Sequence, residues 1–388
     1  MLDCEGNIFN NFVAQLPNKG ASHNQRYEQP GLNLRGYKTA LDVQYARGLR
    51  ESQVGKDAGV LGIAYLGRVL LNPPSPQVSS GPKPLRQAQQ GQNVGLGDLW
   101  HLEAVDASPS HSAGRGVNVY VMDTGINENH AEFQGRDFAE SFVARDANGD
   151  IQDLRDPNGQ GTAVASLIGG NNVGVAKGVN IIPVKHSLSD KTLGLLTVAK
   201  SSPMSLFESL QWILWHVIKS GKQGRAVVNV SQVVTSAGHD GQSTEGAAKT
   251  QSPRRLACPG AVAEKTLIVV GASQRSTSNA KKLEFWPKSN SFAIIDVLAP
   301  GKHITVARHN YNGVWRKDDG TSLSAAITSG IIAQYLGEND IHTLDPGSVA
   351  QVLKRELRRS VVFDDDTAKI HQVTHEGRSF PLLRTLYM

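Results

Sequence analysis

Three short motifs in this chain carry side chains that are able to do chemistry. Asp123 follows an apolar run and precedes a Thr-Gly turn, so a strand would deliver its carboxylate to the edge of a sheet. Gln160 lies within Asn158-Gly-Gln-Gly-Thr162, where glycines precede a helix-compatible stretch. Ser322 opens a stretch of small residues suited to a helix, and the free backbone N–H groups of a helix start favour developing negative charge.

Each motif alone also has a purely structural interpretation. A strand-ending aspartate commonly caps a turn, and a serine at a helix start is more often a simple N-cap. The glycine motif is equally typical of an ordinary loop-to-helix junction. The three motifs are more specific in combination than apart, and their function depends on the elements that position them.

Strand-like and helix-like segments alternate from Trp100 onward. The predicted strands are Val117–Met122, Asn180–Lys185, Ala226–Val230, Thr266–Ala272 and Ala293–Leu298. The predicted helices, Ser205–Lys219 and Gly347–Arg359, each carry an apolar stripe. This alternation predicts an α/β fold with a mostly parallel sheet and helices on both faces. Chemistry is then expected at the carboxyl ends of the strands.

Composition divides the 388 residues into three parts. Residues 1–71 form a predicted small α+β unit that closes with the β-rich segment Gly59–Leu71. Residues 72–97 contain five prolines among Ser, Gln and Gly, so they are predicted to be a linker. Residues 98–388 are predicted to form the main α/β domain with a C-terminal extension.

The composition also argues against several classes of protein. The 40 basic and 35 acidic residues leave a diffuse net charge of +5, which does not indicate nucleic acid binding. No run of about 18 apolar residues occurs, so no membrane span is predicted. The first residues include an early acid and no apolar stretch, so no secretory signal is predicted in this chain. Cys4 and Cys258 allow at most one disulfide, and we interpret them as free thiols.

The motifs, in the order Asp, Gly-x-Gly-Thr, Gly-Thr-Ser, resemble those of the subtilases, the subtilisin and proteinase K family, and look closest to its fungal members. The resemblance covers Trp100 to about Gly337. The matching segments include Asp123–Arg136, Asn158–Ala165, Gly174–Lys177, Asn229–Ser231, Val270–Ser273, Ala299–Gly301 and Gly320–Ser322. The resemblance implies a subtilisin-like fold and a serine endopeptidase that acts on polypeptide substrates.

The same resemblance suggests partners for the chain. It implies that residues 1–71 correspond to the family's inhibitory prodomain, an intramolecular partner of the peptidase domain. Calcium is common in the family, but no local carboxylate loop is specific enough to assign a metal site, and no other cofactor is assignable. Secretion follows by family analogy if the natural N-terminus lies upstream of Met1.

For the site, the resemblance implies that Asp123 orients a base and that Ser322 is the nucleophile. The family's base is a histidine in Asn-Gly-His-Gly-Thr, and Gln160 occupies that position. An amide does not accept a proton near neutral pH, so Gln160 is not a general base. We expect its amide to donate to Asp123 instead. His239 occupies the position of the family's oxyanion-hole asparagine.

Two functional hypotheses follow. The first is a subtilase-fold protein with little or no peptidase activity that binds peptides or other partners. The second is an active secreted endopeptidase with an unrecognised base, or with an incomplete coding sequence after Ser231, where a helix and a strand of the family pattern are missing. His130, His186 and His216 are interpreted as structural or solvent-facing. A nucleotide-binding protein is disfavoured, because no Gly-x-Gly-x-x-Gly opens a helix after a strand.

Overall fold

The computed structural model describes the chain in segments that form two compact units. The described residues are 2–3, 25–29, 34–38, 60–62, 69–70, 99–144, 153–189, 199–201, 203–230, 235–237, 267–278, 282–291, 295–339, 346–359, 362–364, 367–369, 372–375 and 378–383. One unit comprises residues 1–69 and 202–207, and the other comprises residues 70–201 and 208–388. The predicted linker at residues 72–97 lies outside the described residues, so the division into a prodomain-like unit, a linker and a main domain stays a prediction.

The described part of the first unit is a four-stranded antiparallel sheet. Its strands are β1 (Leu2–Asp3), β2 (Gln25–Gln29), β3 (Leu34–Lys38) and β4 (Val60–Gly62). They pair in the order β2-β3-β1-β4. β4 and a short strand β5 (Val69–Leu70) lie within the β-rich segment that the sequence indicates.

The second unit contains the remaining elements. Its strands are β6 (Asn118–Asp123), β7 (Phe142–Val143), β8 (Asn180–Lys185), β9 (Ser187–Ser189), β10 (Ala199–Ser201), β11 (Ala226–Val230), β12 (Thr235–Ser236), β13 (Val269–Arg275), β14 (Leu283–Phe285), β15 (Val297–Pro300), β16 (Ile304–Ala307), β17 (Trp315–Asp318), β18 (Val362–Asp364), β19 (Thr367–Lys369), β20 (Gln372–His375) and β21 (Arg378–Pro381). Its helices are α1 (Trp100–Ala104), a 3-10 turn at Ala131–Phe133, α2 (Gln160–Gly169), α4 (Thr321–Glu338) and α5 (Pro346–Arg359). A further helix, α3 (Pro203–Lys219), begins in the first unit and continues in the second.

Parallel pairing dominates the sheets that carry the predicted site. Strands in the order β11-β6-β8-β7 pair in parallel, with Val121 of β6 between Asn229 and Pro183 of its neighbours. A second sheet pairs β12, β13 and β15 in parallel and adds β14 in the antiparallel direction. The predicted α/β fold with a mostly parallel sheet is confirmed.

The two faces of β6 contact different helices. Val119 and Val121 join the main apolar core beside α2 and α4. Tyr120 lies on the other face, where its ring contacts Trp212 and His216 of α3. This alternation follows from the two-residue period of a strand. α4 is buried along 15 of its 18 residues, which is the pattern of a central helix. Within the described residues, no helix has the length and apolar content that crossing a membrane requires.

The C-terminal extension forms part of the second unit. β20 and β21 pair as a hairpin beside β14 and β15. Phe380 packs on Phe285 with a ring-centroid distance of 5.5 Å, and Leu382 forms a bridge to Leu298. These side chains make a second, smaller apolar core. The extension therefore covers the edge of the second sheet.

Three strands differ in position from their predictions. β6 begins and ends one residue later than the predicted strand Val117–Met122. β13 begins and ends three residues later than the predicted strand Thr266–Ala272, because Arg275 still pairs with β14. β15 begins four residues after the start of the predicted strand Ala293–Leu298 and reaches Pro300, which pairs with Ser273. Partner strands set these ends, whereas the prediction used apolar content alone.

Candidate active site

Asp123 is the last residue of β6, at the carboxyl end of the parallel sheet. Its side chain is buried, and Thr124 donates its backbone N–H to Oδ1 at 2.8 Å. The chain turns at Gly125, whose φ of +116° lies in the left-handed region. A Cβ at this residue would overlap the carbonyl oxygen of Leu154, so the position requires glycine.

A second carboxylate, that of Asp156, fixes the start of α2. Its Oδ1 accepts hydrogen bonds from Thr124 Oγ1 at 2.7 Å and from the backbone N–H groups of Asn158 at 3.2 Å and Gly159 at 2.7 Å. Its Oδ2 accepts from the backbone N–H of Thr162 at 2.8 Å and from the hydroxyl of the same residue at 2.7 Å. The carboxylate thus satisfies N–H groups at the helix start and joins them to the turn after β6.

Gln160 is the first residue of α2, where two glycines hold the backbone. Gly159 has a φ of +95°. Gly161 approaches Gly125 so closely that a Cβ would overlap its carbonyl oxygen, and the N–H of Gly161 donates to Thr124 Oγ1 at 3.0 Å. The position of residue 160 is therefore set by backbone contacts rather than by its own side chain.

Ser322 is the second residue of α4, whose N-cap is Gly320. The N–H of Gly320 donates to the carbonyl of Gly301 at 2.8 Å, and Ser324 Oγ donates to the carbonyl of Pro300 at 3.1 Å. These bonds hold the start of α4 against the end of β15. The half-buried Ser322 side chain therefore lies where the helix dipole favours negative charge.

Gln160 and Ser322 are in contact across the starts of α2 and α4. Gln160 Nε2 donates to Ser322 Oγ at 3.5 Å, a long hydrogen bond. Gln160 Oε1 is buried and has no partner among the described residues. The predicted donation from this amide to Asp123 is corrected: the starts of α2 and α4 lie side by side, and the amide donates to Ser322 Oγ.

His309 lies beside this pair, in the turn between β16 and β17. Its ring packs on Gly159, where a Cβ would overlap Nδ1, and this nitrogen has no partner in the described part of the chain. Burial lowers the pKa of His309, and the nearby Asp156 carboxylate opposes that shift only in part, so the ring is neutral at pH 7. From the sequence, neither Asp156 nor His309 is assigned a role. Asp156 precedes the N-cap residue Gly159 by three positions, so it does not match the usual capping pattern, and nothing local marks His309.

The histidines weighed from the sequence lie at other places. His130 Nδ1 accepts from the N–H of Glu132 at 3.1 Å and Nε2 donates to a backbone carbonyl at 2.9 Å, so the ring is neutral, and burial lowers its pKa. His186 is buried, which lowers its pKa to about 4. His216 Nδ1 is hydrogen-bonded to a tyrosine hydroxyl of β6 at 2.8 Å. Within the described ranges, none of the three is hydrogen-bonded to the site serine.

His239, the predicted oxyanion residue, lies outside the described residues, as do Cys4 and Cys258. Nearby, Ala237 is buried, and its N–H donates to the carbonyl of Val270 at 2.8 Å. In the part of the chain that the structure describes, no group of three or more His, Cys, Asp or Glu side chains is placed to hold a metal ion. The oxyanion role, the free thiols and the calcium expectation all stay predictions.

The fold and the helix starts at residues 160 and 321 define a protein of the subtilisin type. The sequence model of the subtilase family matches residues 114–374, which include both helix starts and the parallel strands. The chain belongs to the subtilase family of serine peptidases. The resemblance seen in the motifs is confirmed.

Several curated proteases are similar to this chain. Alkaline serine exoprotease A of Vibrio alginolyticus is 32% identical over 287 residues, which are 69% of this chain and 48% of that protein. Alkaline proteinase of Hapsidospora chrysogena is 29% identical over 247 residues, which are 61% of this chain and 57% of that protein. Alkaline protease 1 of Aspergillus clavatus is 28% identical over 312 residues, which are 74% of this chain and 68% of that protein. The chain spans about half the length of the first of these relatives.

Solved structures show the same fold. A cold-adapted subtilisin-like serine proteinase aligns with a TM-score of 0.50 and 25% identity, over 71% of this chain and 91% of that one. Sphericase aligns with a TM-score of 0.53 and 18% identity, over 73% of this chain and 96% of that one. At its low identity Sphericase is informative about the fold alone.

Proposed function

We propose that this chain is a subtilase that binds polypeptides and hydrolyses them slowly or not at all. Membership of a serine peptidase family supports a polypeptide ligand. The roles of Asp123 as orienting carboxylate and Ser322 as nucleophile come from their positions in the family motifs. The observation that carries the loss of activity is the contact between Gln160 Nε2 and Ser322 Oγ.

The hydrogen bond between Gln160 and Ser322 runs in the wrong direction for catalysis. A serine peptidase needs a base that accepts the Oγ proton as the serine attacks a carbonyl carbon. Gln160 offers an N–H to that oxygen, so the serine is the acceptor. An amide does not take up a proton near neutral pH, and the acceptor atom of this amide, Oε1, is buried without a partner among the described residues. Ser322 therefore remains a neutral hydroxyl.

The expected loss of rate is large. In subtilisin, removal of the triad histidine lowers kcat by about 2 × 10⁶. At about 1.4 kcal/mol per decade, this is roughly 8 to 9 kcal/mol of lost barrier lowering. Substrate binding and the oxyanion hole alone give about 10³ to 10⁴ over water. Because His239 stands in place of the oxyanion asparagine, we expect this chain to lie at or below that range.

The remaining partners are proposed from the family pattern. Residues 1–71 would act as a prodomain-like segment that binds the domain at residues 98–388, as in a zymogen. Residues 72–97 would join the two as a linker, whose prolines and polar residues suit an extended chain.

Binding and turnover can be separated in one experiment. The full-length chain is titrated into fluorescein-labelled denatured casein, and anisotropy reports binding while gel electrophoresis of the same samples reports cleavage. We expect saturable binding, no cleavage above the blank, and the same result for Ser322→Ala. Cleavage that Ser322→Ala abolishes would contradict the impaired function, and a lack of saturable binding would contradict the polypeptide ligand.

A further inference from the structure

A cavity of about 1100 Å³ opens next to the start of α2. Its wall includes Ile126 of the turn after β6, together with Asp156 and His309. Asp156 accepts from the N–H of Gly159, and His309 packs on the same glycine, which directly precedes Gln160. The cavity therefore lies beside the turn that leads into Gln160, and its volume is at the upper end of the range of ligand pockets, about 300 to 1000 Å³.

Most charged groups on this wall already have partners. Asp156 accepts five hydrogen bonds. Asp153 is paired with the Arg155 guanidinium, which holds the pKa of the carboxyl below its usual range. Lys185 Nζ donates to the backbone carbonyls of residues 153 and 155 at 2.9 and 2.6 Å. Neither cation is available for an acidic ligand without breaking these contacts.

Glu128 is the exception on this wall. Its side chain is exposed, and among the described residues no cation lies within ion-pair distance of it. The neighbouring His309 ring is neutral at pH 7, because burial lowers its pKa. Among the described charged residues of this wall, Glu128 is therefore the one whose side chain makes no hydrogen bond or ion pair.

Amide side chains add further hydrogen-bond acceptors to the cavity. Four of them line it: Asn127, Asn129, Asn310 and Asn312. Three of the four amide oxygens already accept one hydrogen bond each: Asn127 Oδ1 from the N–H of Asn129 at 3.2 Å, Asn310 Oδ1 from Arg308 Nε at 3.1 Å and Asn312 Oδ1 from Asn127 Nδ2 at 3.1 Å. The oxygen of Asn129 is the fourth acceptor. The exposed amide of Asn129 is adjacent in sequence to the unpaired carboxylate. Carboxylate and amide oxygens together favour a ligand that carries several N–H donors.

We propose that this cavity is a subsite for a lysine or arginine side chain of the bound polypeptide, with Glu128 as its counter-charge. The subsite rests on the proposed polypeptide binding. A basic side chain suits the wall because its aliphatic stem packs on Ile126 and Leu154 while its charged head reaches carboxylate and amide oxygens. An acidic side chain would be repelled by Glu128 and would find Arg155, Lys185 and Arg308 already engaged, Arg308 through Asn310 Oδ1 and the Tyr311 ring.

The test measures which residue the subsite prefers. Fluorescein-labelled decapeptides are titrated with the full-length chain. The peptides differ in one residue only, which is Lys, Arg, Gln or Glu and is placed at each position in turn. We expect Lys and Arg at one position to bind about two- to fivefold more tightly than Gln, the size expected of a partly exposed ion pair. Glu128→Gln should abolish this preference. Glu338→Gln, which alters an exposed glutamate at the end of α4, should retain it.

Each other outcome contradicts the subsite in a recognisable way. If the wild-type chain shows no preference at any position, or if Glu128→Gln keeps the preference, the subsite is overturned while polypeptide binding stands. If no peptide of the set binds, polypeptide binding fails and the subsite fails with it. A preference that persists at about 1 M salt would also contradict a partly exposed ion pair, because such pairs are screened at that ionic strength.

Discussion

The two polar side chains at the start of α2 make opposite kinds of contact. Asp156 accepts five hydrogen bonds with lengths between 2.7 and 3.2 Å. Four residues later, Gln160 makes one contact of 3.5 Å and leaves Oε1 buried without a partner in the described structure. The difference separates what the fold requires from what the reaction requires. Helix-start N–H groups need an acceptor in any folded chain, whereas a base at residue 160 is needed only for turnover.

The fold depends on the two side chains to different degrees. Loss of the Asp156 acceptors would leave several buried N–H and O–H groups unsatisfied, at about 1 to 3 kcal/mol each. Gln160 is half-buried, and its backbone is held by glycines on either side. A neutral polar side chain there is tolerated by the fold. The proposed replacement of a catalytic histidine by Gln160 is therefore compatible with an intact scaffold.

The largest expected effect follows from Gln160→His, which restores a base to an intact scaffold. We expect hydrolysis of casein to rise by about 10²- to 10⁴-fold, the usual contribution of a positioned general base. Initial rates of wild type and variant at pH 8 measure it. Gln160→Asn is the matched control, since it changes the side chain without adding a base, and it should give no increase.

Two results would contradict the separation of scaffold from base. No increase with Gln160→His would mean that the scaffold no longer presents residue 160 correctly to Ser322. A rate equal to that of an active subtilase would mean that His239 serves the oxyanion as well as the family's asparagine does, contrary to our interpretation of that position.

A smaller effect is expected from removal of the scaffold carboxylate. Asp156→Ala should lower the free energy of unfolding by about 3 to 5 kcal/mol, because a buried network loses its common acceptor. Urea denaturation measures this change. Asp137→Ala, at an exposed aspartate whose Oδ1 accepts from one backbone N–H, is the control and should cost about 1 kcal/mol or less. Equal costs for the two variants would remove the distinction between Asp156 and an ordinary surface acid.

The pH dependence of the free energy of unfolding tests the contribution of two buried histidines to the stability of the scaffold. Burial lowers the pKa of His101 and of His186 to about 4, against about 6.5 in the unfolded chain. Between pH 4 and 6.5 the unfolded state binds more protons than the folded state. The contribution of the two neutral histidines to the free energy of unfolding is therefore complete above pH 6.5 and is lost as the pH falls towards 4. In this range each histidine changes the free energy of unfolding by up to about 1.4 kcal/mol per pH unit. Urea midpoints from pH 7 to 4.5 measure it.

His101→Gln serves as the control for that pH dependence. His101 Nε2 lies 2.9 Å from the carbonyl of Val173, and a glutamine side chain also offers an N–H donor. The variant should show a shallower decline below pH 6.5 than the wild type. If stability declines below pH 6.5 as steeply in the variant as in the wild type, His101 does not contribute to that decline.

Much of the scaffold was predictable from local pattern. Residue 160 was expected at a helix start, and the apolar runs Asn180–Lys185 and Ala226–Val230 are β8 and β11 with the predicted bounds. Dense apolar runs between turns define such strands without knowledge of their neighbours. The ends of β13 and β15 differ from prediction, because pairing with neighbouring strands sets them.

The details of the site depended on contacts between distant segments. Four of the five hydrogen bonds to Asp156 come from residues 158–162, and the fifth comes from Thr124 in the turn after β6, which local sequence does not place there. His309 reaches Gly159 from a hairpin far along the chain, and no sequence pattern predicts that packing. A buried carboxylate at Asp123 needs donors, and this predicts Gln160 as one of them, whereas its amide donates to Ser322 on a distant helix.

The most direct measurement is the reaction of Ser322 with a fluorophosphonate probe. The serine oxygen attacks phosphorus and displaces fluoride, which requires removal of the Oγ proton and so reports the base rather than substrate binding. The full-length wild-type chain, Gln160→His and Ser322→Ala are incubated with the probe and analysed by peptide mass spectrometry. The account predicts no adduct on the wild type and on Ser322→Ala, and an adduct at Ser322 in Gln160→His. An adduct at Ser322 of the wild type would contradict it.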